Sequence, residues 1–458
     1  NLRITTFVQQ FFMSDIIIKN AQVINEGKIS STDILVRGKQ IERIDASFDV
    51  KYKVEEINAE GQYLMPGIID DQVHFREPGL THKATIYTEA KAGIAGGVTT
   101  FMEMPNTNPP AVTIDLLEQK YHIASQTSLA NYSFYMGTNL TNLNELLKID
   151  KKKICGIKIY MGSSKGDMLV DDRQVLENIF RERNDILIAT HCEDDKLVKQ
   201  RLEIYKEKYG ENIPFECHAE IRNEQVCLNS SSYAVELAKK FNSRLHVFHL
   251  STEEELKLFR NDIPLKEKRI TTEICVHHLW FDKSDYERLG SRIKCNPAIK
   301  EARHKKALFE AMLDDRLDVI ATDHAPHTIE EKNNSYLKAP AGLPLVQHSL
   351  NVMLEFYHQG KISLEKMVEK MCHAPAICFE IKDRGHIREG YFADLALFDL
   401  NEKWRVTSSN ILYKCGWSPF EEYEFTGRVQ KTMVNGNIVY NQGNFDERIK
   451  GERLAFNR

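Results

Sequence analysis

Residues 186–191, Ile186-Leu187-Ile188-Ala189-Thr190-His191, form an apolar run that ends in a histidine. A short run of this kind predicts a buried strand, and the histidine then stands at the carboxyl end of that strand. The pattern recurs, because His249 follows Val247-Phe248 and Asp323 follows Val319-Ile320-Ala321-Thr322. Reactive side chains at the carboxyl ends of strands are typical of the active sites of parallel α/β barrels.

Two further polar residues fit the same arrangement. His74 follows Gly67-Ile68-Ile69-Asp70, and Lys158 lies within Gly156-Ile157-Lys158-Ile159-Tyr160. Taken singly, a histidine at a strand end is more often structural than a ligand, and an aspartate before a loop is usually a helix cap. Five such residues at the same end of one fold favour a functional site, because the strands bring them together if they close into a ring.

Strands and helices alternate through the middle of the chain, from about residue 67 to 384. Amphipathic stretches at 172–183 and 230–241 lie between the apolar runs. The alternation predicts an α/β fold with a (β/α)8 barrel, and an open doubly wound sheet is the alternative. The predicted strands are Thr99–Met102, Ser133–Met136, Gly156–Tyr160, Ile186–Ala189, Arg244–Phe248 and Val319–Ala321.

The first part of the chain has a different pattern. From Asp15 to about Ile69, short β-branched runs alternate with turn formers such as Asn25-Glu26-Gly27, which predicts consecutive strands. Residues 1–12 lack the apolar core and cleavage site of a signal peptide, and we expect them to be an extension outside the fold.

The C-terminal part repeats the β pattern of the first. Asp394–Asp399 predicts a strand, and residues 431–440 predict a hairpin on the turn Asn435-Gly436. We therefore predict a small discontinuous β-sandwich domain of residues 13–66 and 385–458, which encloses a barrel domain of residues 67–384.

The composition limits the classes of function. The chain has 458 residues, more than one hydrophobic core usually supports, and its net charge of -5 offers no basic face for nucleic acid or anionic lipid. No apolar run approaches the ~18 residues that span a bilayer. Nine cysteines without a C-x-x-C pair indicate a reducing cytoplasm. We expect Cys155, Cys192 and Cys295 to be small core residues.

The polar residues at the strand ends permit a definite chemistry. Neutral imidazole and carboxylate suit zinc or a similar divalent ion, and a zinc site with open coordination lowers the pKa of bound water to about 7. An aspartate beside that water can take its proton and return it to a leaving group. The ammonium of Lys158 would repel a metal, but a carbamate formed with carbon dioxide could bridge two metals.

Seven motifs, in order between about residues 14 and 440, resemble those of the dihydroorotase family. The last is the most specific, because related hydantoinases and allantoinases usually lack the histidine four residues after the aspartate. The motifs are Pro66-Gly67-Ile68-Ile69-Asp70-Asp71-Gln72-Val73-His74-Phe75-Arg76-Glu77-Pro78-Gly79, Met104-Pro105-Asn106-Thr107, Gly156-Ile157-Lys158-Ile159-Tyr160, Thr190-His191-Cys192-Glu193, Phe248-His249-Leu250-Ser251, Lys294-Cys295-Asn296-Pro297 and Ala321-Thr322-Asp323-His324-Ala325-Pro326-His327.

The resemblance implies a role for each matching residue. Asp323 would be the general acid/base, and Lys158 would be a carbamate. A guanidinium can hold a carboxylate bidentately, so Arg76 fits a small anionic substrate, with a surface ion pair as the alternative. One or two zinc ions would be surrounded by His74, Lys158, His191, His249 and Asp323. The substrate would contact Arg76, Asn106 and His327 through its carboxylate, and Asn296, Ala341 and Gly342 through its ring.

The chain departs from the family at one position. The family usually has His-x-His where this chain has Gln72-Val73-His74, and an amide oxygen is a weaker zinc ligand than imidazole. Gln72 could ligate weakly, the site could hold one metal only, or the enzyme could be impaired. Because the other ligands are present, we expect an active enzyme with at least one zinc ion.

The activity implied is reversible hydrolysis of (S)-dihydroorotate to N-carbamoyl-L-aspartate in de novo pyrimidine (UMP) biosynthesis. An allantoinase or hydantoinase is the nearest alternative, although those substrates lack a carboxylate. A catalytically silent structural partner of aspartate transcarbamoylase is an alternative of another class. The expected partner is a small anionic substrate, and a second copy of the chain and aspartate transcarbamoylase are alternative partners. The sequence predicts no role for His277-His278.

Overall fold

The computed structural model describes residues 15–48, 50–162 and 168–458, so the predicted extension of residues 1–12 lies outside the described residues. The strands are β1 (Ile16–Asn25), β2 (Lys28–Arg37), β3 (Gln40–Asp45), β4 (Glu55–Asn58), β5 (Tyr63–Pro66), β6 (Ile68–Val73), β7 (Val98–Glu103), β8 (Asn131–Phe134), β9 (Met136–Gly137), β10 (Ile157–Tyr160), β11 (Leu187–His191), β12 (Arg244–Val247), β13 (Ile270–Cys275), β14 (Val319–Ala321), β15 (Leu395–Arg405), β16 (Glu424–Val434), β17 (Asn437–Asn441) and β18 (Asn444–Phe445). The α-helices are α1 (Ile86–Ala95), α2 (Ile114–Thr127), α3 (Leu143–Leu147), α4 (Arg173–Glu182), α5 (Asp195–Tyr209), α6 (Cys217–Ile221), α7 (Glu224–Phe241), α8 (Val276–Trp280), α9 (Tyr286–Leu289), α10 (Ala302–Leu313), α11 (Ile329–Lys332), α12 (Ser349–His358), α13 (Leu364–Val368) and α14 (Ala374–Phe379).

One nine-stranded sheet combines strands from both parts of the chain, as the sequence predicts. Its order is β18-β17-β16-β15-β5-β1-β2-β3, and β4 also pairs with β1. The joint is β5, which pairs in parallel with β1 and antiparallel with β15. The hairpin of β16 and β17 turns at Asn435 and Gly436, both with positive φ, as its sequence predicts. The exact division at residues 66 and 385 stays a prediction.

Eight parallel strands form the predicted (β/α)8 barrel. Strands β6, β7 and β8 pair in order, and β9 to β14 pair in order. Only Tyr135 separates β8 from β9, so these two short strands occupy one barrel position. The ring closes where Val73 forms a parallel bridge with His324 and the His74 amide donates to the His324 carbonyl at 2.7 Å.

Two of the predicted helices are capped by polar side chains. The Asp172 side chain accepts a hydrogen bond from the Val175 amide at the start of α4. Helix α7 begins at Glu224, earlier than the predicted stretch 230–241, because the Asn223 side chain accepts from the Val226 amide. None of the helices within the described ranges has the length and apolarity needed to cross a bilayer.

A buried ion pair joins the end of β7 to α2. The side chains of Glu103 and Lys120 are each about 1% exposed. The Lys120 ammonium also donates to the Met104 carbonyl at 2.7 Å, and Glu103 Oε1 accepts from the Phe75 amide at 3.1 Å. The pair therefore fixes the two segments that carry Arg76 and Asn106.

We expect Lys120→Met to lower the free energy of unfolding by about 3–5 kcal/mol, because it leaves the Glu103 carboxylate buried without its counter-charge. Urea denaturation measures the change. Lys148→Met is the control, since Lys148 is 63% exposed in its pair with Glu145 and should cost less than about 1 kcal/mol. Similar losses in both variants would contradict the prediction.

Candidate active site

The five polar residues at the strand ends line one pocket at the carboxyl end of the barrel. Its volume is about 100 Å³, which limits it to a small ligand. His327 does not line this pocket but contacts Arg76, which does. The lining residues are Gln72, His74, Arg76, Asn106, Lys158, Tyr160, His191, His249, Asn296, Asp323, Ala325, Ala341 and Gly342.

His191 and His249 point ring nitrogens towards each other, with His191 Nδ1 2.9 Å from His249 Nε2. His191 Nε2 lies 2.8 Å from Glu193 Oε2, so it carries the proton and leaves Nδ1 with its lone pair. Burial lowers the pKa of both imidazoles, which keeps them neutral. A carboxylate that orients a neutral histidine in this way is the usual support of a metal ligand.

His74 faces Asp323 across the pocket. His74 Nδ1 lies 2.8 Å from Asn106 Oδ1, so that nitrogen donates and Nε2 keeps its lone pair. His74 Nε2 is 3.1 Å from Asp323 Oδ1. Burial lowers the pKa of His74, so a neutral nitrogen and a carboxylate oxygen, both acceptors, face each other. A bound cation would relieve this opposition.

Lys158 lies between aromatic rings on β10. Its ammonium nitrogen is 4.0 Å from the centre of the Phe248 ring and 4.8 Å from that of Tyr160. The side chain is about 1% exposed, and burial lowers the pKa of Lys158 to about 7. A large fraction is therefore the free amine at neutral pH, the form that can add carbon dioxide.

These donors fit a divalent metal. Neutral imidazole nitrogens and a carboxylate converge on one small pocket, and the 2.9 Å between the two histidine nitrogens approaches the edge of a zinc tetrahedron, ~3.3 Å. His249 Nδ1 is buried and, within the described part of the chain, has no hydrogen-bond partner. Gln72 lines the same pocket, and its Oε1 accepts a hydrogen bond from Cys275 Sγ at 3.6 Å.

The pocket also carries a positive charge, that of Arg76. The Arg76 guanidinium is buried, with Nε donating to the Pro326 carbonyl at 3.1 Å. Lys83 Nζ is 3.0 Å from His327 Nδ1, so that nitrogen accepts, and Nε2–H donates to the Ala341 carbonyl at 3.0 Å. Arg76 Nη2 lies 3.1 Å from the same His327 Nε2, so His327 holds the guanidinium in position at the pocket.

Asn296 and Gly342 also line the pocket. Asn296 Oδ1 is buried and has no hydrogen-bond partner among the described residues, which suits contact with a ligand donor. Gly342 has φ +140°, and a Cβ there would come within 2.4 Å of the Ala325 carbonyl oxygen. Only glycine therefore lets the chain close on the pocket at this point.

Several supporting residues were not assigned from the sequence. Glu193 lies in a quoted motif, but its contact with His191 depends on the fold. Arg222 Nη1 donates to Glu193 Oε2 at 2.5 Å. No local sequence pattern indicates this contact. Tyr160 and Ala325 line the pocket without a predicted role. His277 and His278 lie in α8, directly after β13, and remain without a role.

Several known proteins are similar to this chain in sequence and in fold. The amidohydrolase family model matches residues 63–439. The dihydroorotase of Methanosphaera stadtmanae is 30% identical over 93% of this chain and 96% of its own length, and that of Pyrococcus abyssi is 31% identical over 98% of each. The structure of L-hydantoinase (dihydropyrimidinase) from Arthrobacter aurescens has a TM-score of 0.89 at 27% identity, over 94% of this chain and 97% of that one. The chain therefore belongs to the amidohydrolase family and, within it, to the dihydroorotases.

Proposed function

We propose that the protein hydrolyses (S)-dihydroorotate reversibly to N-carbamoyl-L-aspartate, in de novo pyrimidine biosynthesis. The observation that carries the proposal is the polarity of one small pocket. Metal-ligand side chains and the buried Arg76 guanidinium line the same pocket. This arrangement suits a cyclic amide with a carboxylate on its ring, and relatives named dihydroorotase support it.

The proposed cofactor is zinc, one or two ions per chain, held by His74, His191, His249, Asp323 and Lys158 as its carbamate. When bound, it would polarise the ring carbonyl and activate water for attack. Gln72 is a weak additional ligand in this proposal. The free thiols of all nine cysteines are consistent with a reducing compartment such as the cytoplasm.

Asp323 is the proposed proton carrier. Its Oδ1 is oriented beside His74 Nε2, and its backbone has φ +49°, which turns the side chain into the pocket at the end of β14. In the hydrolytic direction it would accept a proton from water and deliver it to the departing ring nitrogen. In the synthetic direction the same oxygen would return that proton.

Arg76 is the proposed anchor of the substrate carboxylate, assisted by Asn106 and His327. Asn296, Ala341 and Gly342 would contact the ring. Because Arg76 is buried, its charge-assisted hydrogen bonds are screened little by solvent. Discrimination against neutral cyclic amides therefore depends on this guanidinium.

Arg76→Gln should raise KM for dihydroorotate roughly 10- to 100-fold, since a hydrogen bond to a charged group contributes about 1.5–3 kcal/mol. Steady-state kinetics with dihydroorotate and with dihydrouracil, the same ring without the carboxylate, measure the effect. KM for dihydrouracil should change little. An equal rise for both substrates would show that Arg76 does not act through the carboxylate.

Assays on dihydroorotate, allantoin and hydantoin test the reaction itself. We expect turnover of dihydroorotate well above that of the other two. The silent-partner alternative predicts no turnover, well under one zinc per chain by elemental analysis, and co-elution with aspartate transcarbamoylase in size-exclusion chromatography.

A further inference from the structure

A second group of metal-ligand side chains lies inside the barrel, apart from the pocket lining. Asp71, His246 and Glu273 come from β6, β12 and β13, and their side chains are fully buried. His246 Nε2 is 3.3 Å from Asp71 Oδ2 and 3.2 Å from Glu273 Oε2. We call these three residues the inner cluster.

The inner cluster lies deeper in the barrel than the pocket. Along the chain, Asp71 precedes the pocket residues Gln72 and His74, and His246 precedes the pocket residue His249. None of the three cluster residues lines the pocket. The rings of Phe248 and Phe379 pack against His246, with centroids 5.5 and 5.3 Å away, so the surroundings are apolar.

The charges of the inner cluster are not balanced by its hydrogen bonds. His246 Nε2 can donate one proton, and its hydrogen bond goes to Glu273. Within the part of the chain that the structure describes, neither oxygen of Asp71 has a hydrogen-bond partner, and both are buried. Asp71 and Glu273 both lie beside the same nitrogen of His246, so one imidazole serves two buried carboxyl groups. Two fully buried carboxyl groups that share one imidazole are costly unless a cation compensates them.

We propose that the inner cluster binds a structural divalent metal ion, Zn²⁺ or an ion of similar size and ligand preference. Ligand atoms 2.0–2.2 Å from a tetrahedral zinc ion lie ~3.3 Å apart, and the two measured separations are 3.3 and 3.2 Å. Two carboxylates and a neutral imidazole would balance the 2+ charge. Thr271 Oγ1, 2.8 Å from His246 Nδ1, would fix the imidazole from behind.

Such an ion would also support the neighbouring pocket. Glu273 Oε1 accepts a hydrogen bond from the His249 amide at 3.2 Å, and Asp71 is joined directly to Gln72. A metal between Asp71 and Glu273 would therefore hold the backbone of two pocket residues in place. This inference goes beyond the proposed function, because none of the three cluster residues lines the pocket.

The test is crystallography of the holoprotein, expressed with zinc as the only added transition metal, with data collected at the zinc absorption edge. We expect an anomalous peak between Asp71, His246 and Glu273, separate from any peak in the pocket. Asp71→Asn keeps the shape and removes the charge, so it should lose that peak and about one zinc per chain by elemental analysis.

Asp70→Asn is the matched control. Asp70 is a buried neighbour whose carboxylate accepts from Thr322 Oγ1 at 2.6 Å and is not part of the cluster, so the inner peak should remain. A wild-type map without an inner peak would overturn the proposal, even if Asp71→Asn does not fold. An unchanged zinc content in a folded Asp71→Asn protein would do the same. Turnover of dihydroorotate is measured in a separate assay. A protein without that activity would therefore still show whether the inner cluster binds zinc.

Discussion

Asp323→Asn should lower kcat on dihydroorotate by roughly 10²–10⁴-fold, the usual contribution of a positioned acid/base group. The amide has the shape of the carboxylate but cannot carry a proton. Asparagine also tolerates the positive φ of 49° at this position, so the backbone should keep its conformation. Steady-state kinetics together with zinc analysis measure the effect, and we expect zinc to be retained.

Asp383→Asn is the control for this substitution. Asp383 also has a positive φ, of 53°, and does not line the pocket. Its asparagine variant should have wild-type kcat. Near-normal turnover in Asp323→Asn would remove Asp323 from proton transfer. Equal losses in both variants would assign the effect to the backbone rather than to the carboxylate.

Lys158→Met should lower kcat by about 10³-fold or more. The variant would lose the carbamate that holds the metal, and a bound metal supplies several kcal/mol of transition-state stabilisation. Methionine has similar length and keeps the apolar contacts with Phe248 and Tyr160. Native mass spectrometry of the wild-type protein should detect one added carbon dioxide, and the variant should show none and contain less zinc. Since burial lowers the pKa of Lys158 to about 7, the free amine increases as pH rises through 7, and carbon dioxide uptake by metal-free protein should rise with it.

Lys332→Met is the matched control for the modification. Lys332 is also fully buried, and burial lowers its pKa to about 7. Its ammonium, however, donates to the carbonyls of Lys294, Pro340 and Gly342 at 2.9–3.2 Å. The carbon dioxide adduct should therefore persist in Lys332→Met. An adduct that persists in Lys158→Met would exclude Lys158 as the modified residue.

The barrel and its ligand residues were predictable because each predicted strand and the functional residue at its end lie within a few consecutive residues. An apolar run followed by His191 or Asp323 indicates both a strand and its functional end. The bounds of the predicted barrel strands shifted by a residue or two. The predicted strand Asp394–Asp399 is longer in the structure, as β15 extends to Arg405. Parallel strand order then brings the five residues into one pocket.

The supporting contacts were not predictable, because they depend on pairs far apart in sequence. Arg222 meets Glu193 only through the position of the turn after α6, and Lys120 meets Glu103 through the packing of α2 against the barrel. The inner cluster was missed for the same reason. Asp71 is next to Gln72 in the chain, and nothing local indicates that it faces His246 across the barrel.

The shared sheet also constrains how the chain is made. The Asn25 side chain forms hydrogen bonds with the backbone of Ile387, 362 residues later. A ribosome that adds 5–20 residues per second needs roughly 20–70 s to travel that distance. Throughout that interval β5 has not yet paired with β15. It therefore exposes an unpaired strand edge, which is a template for aggregation. The nascent protein is therefore most exposed to misassembly before its last strands emerge, and we expect its yield to depend on chaperones that cover this edge during synthesis.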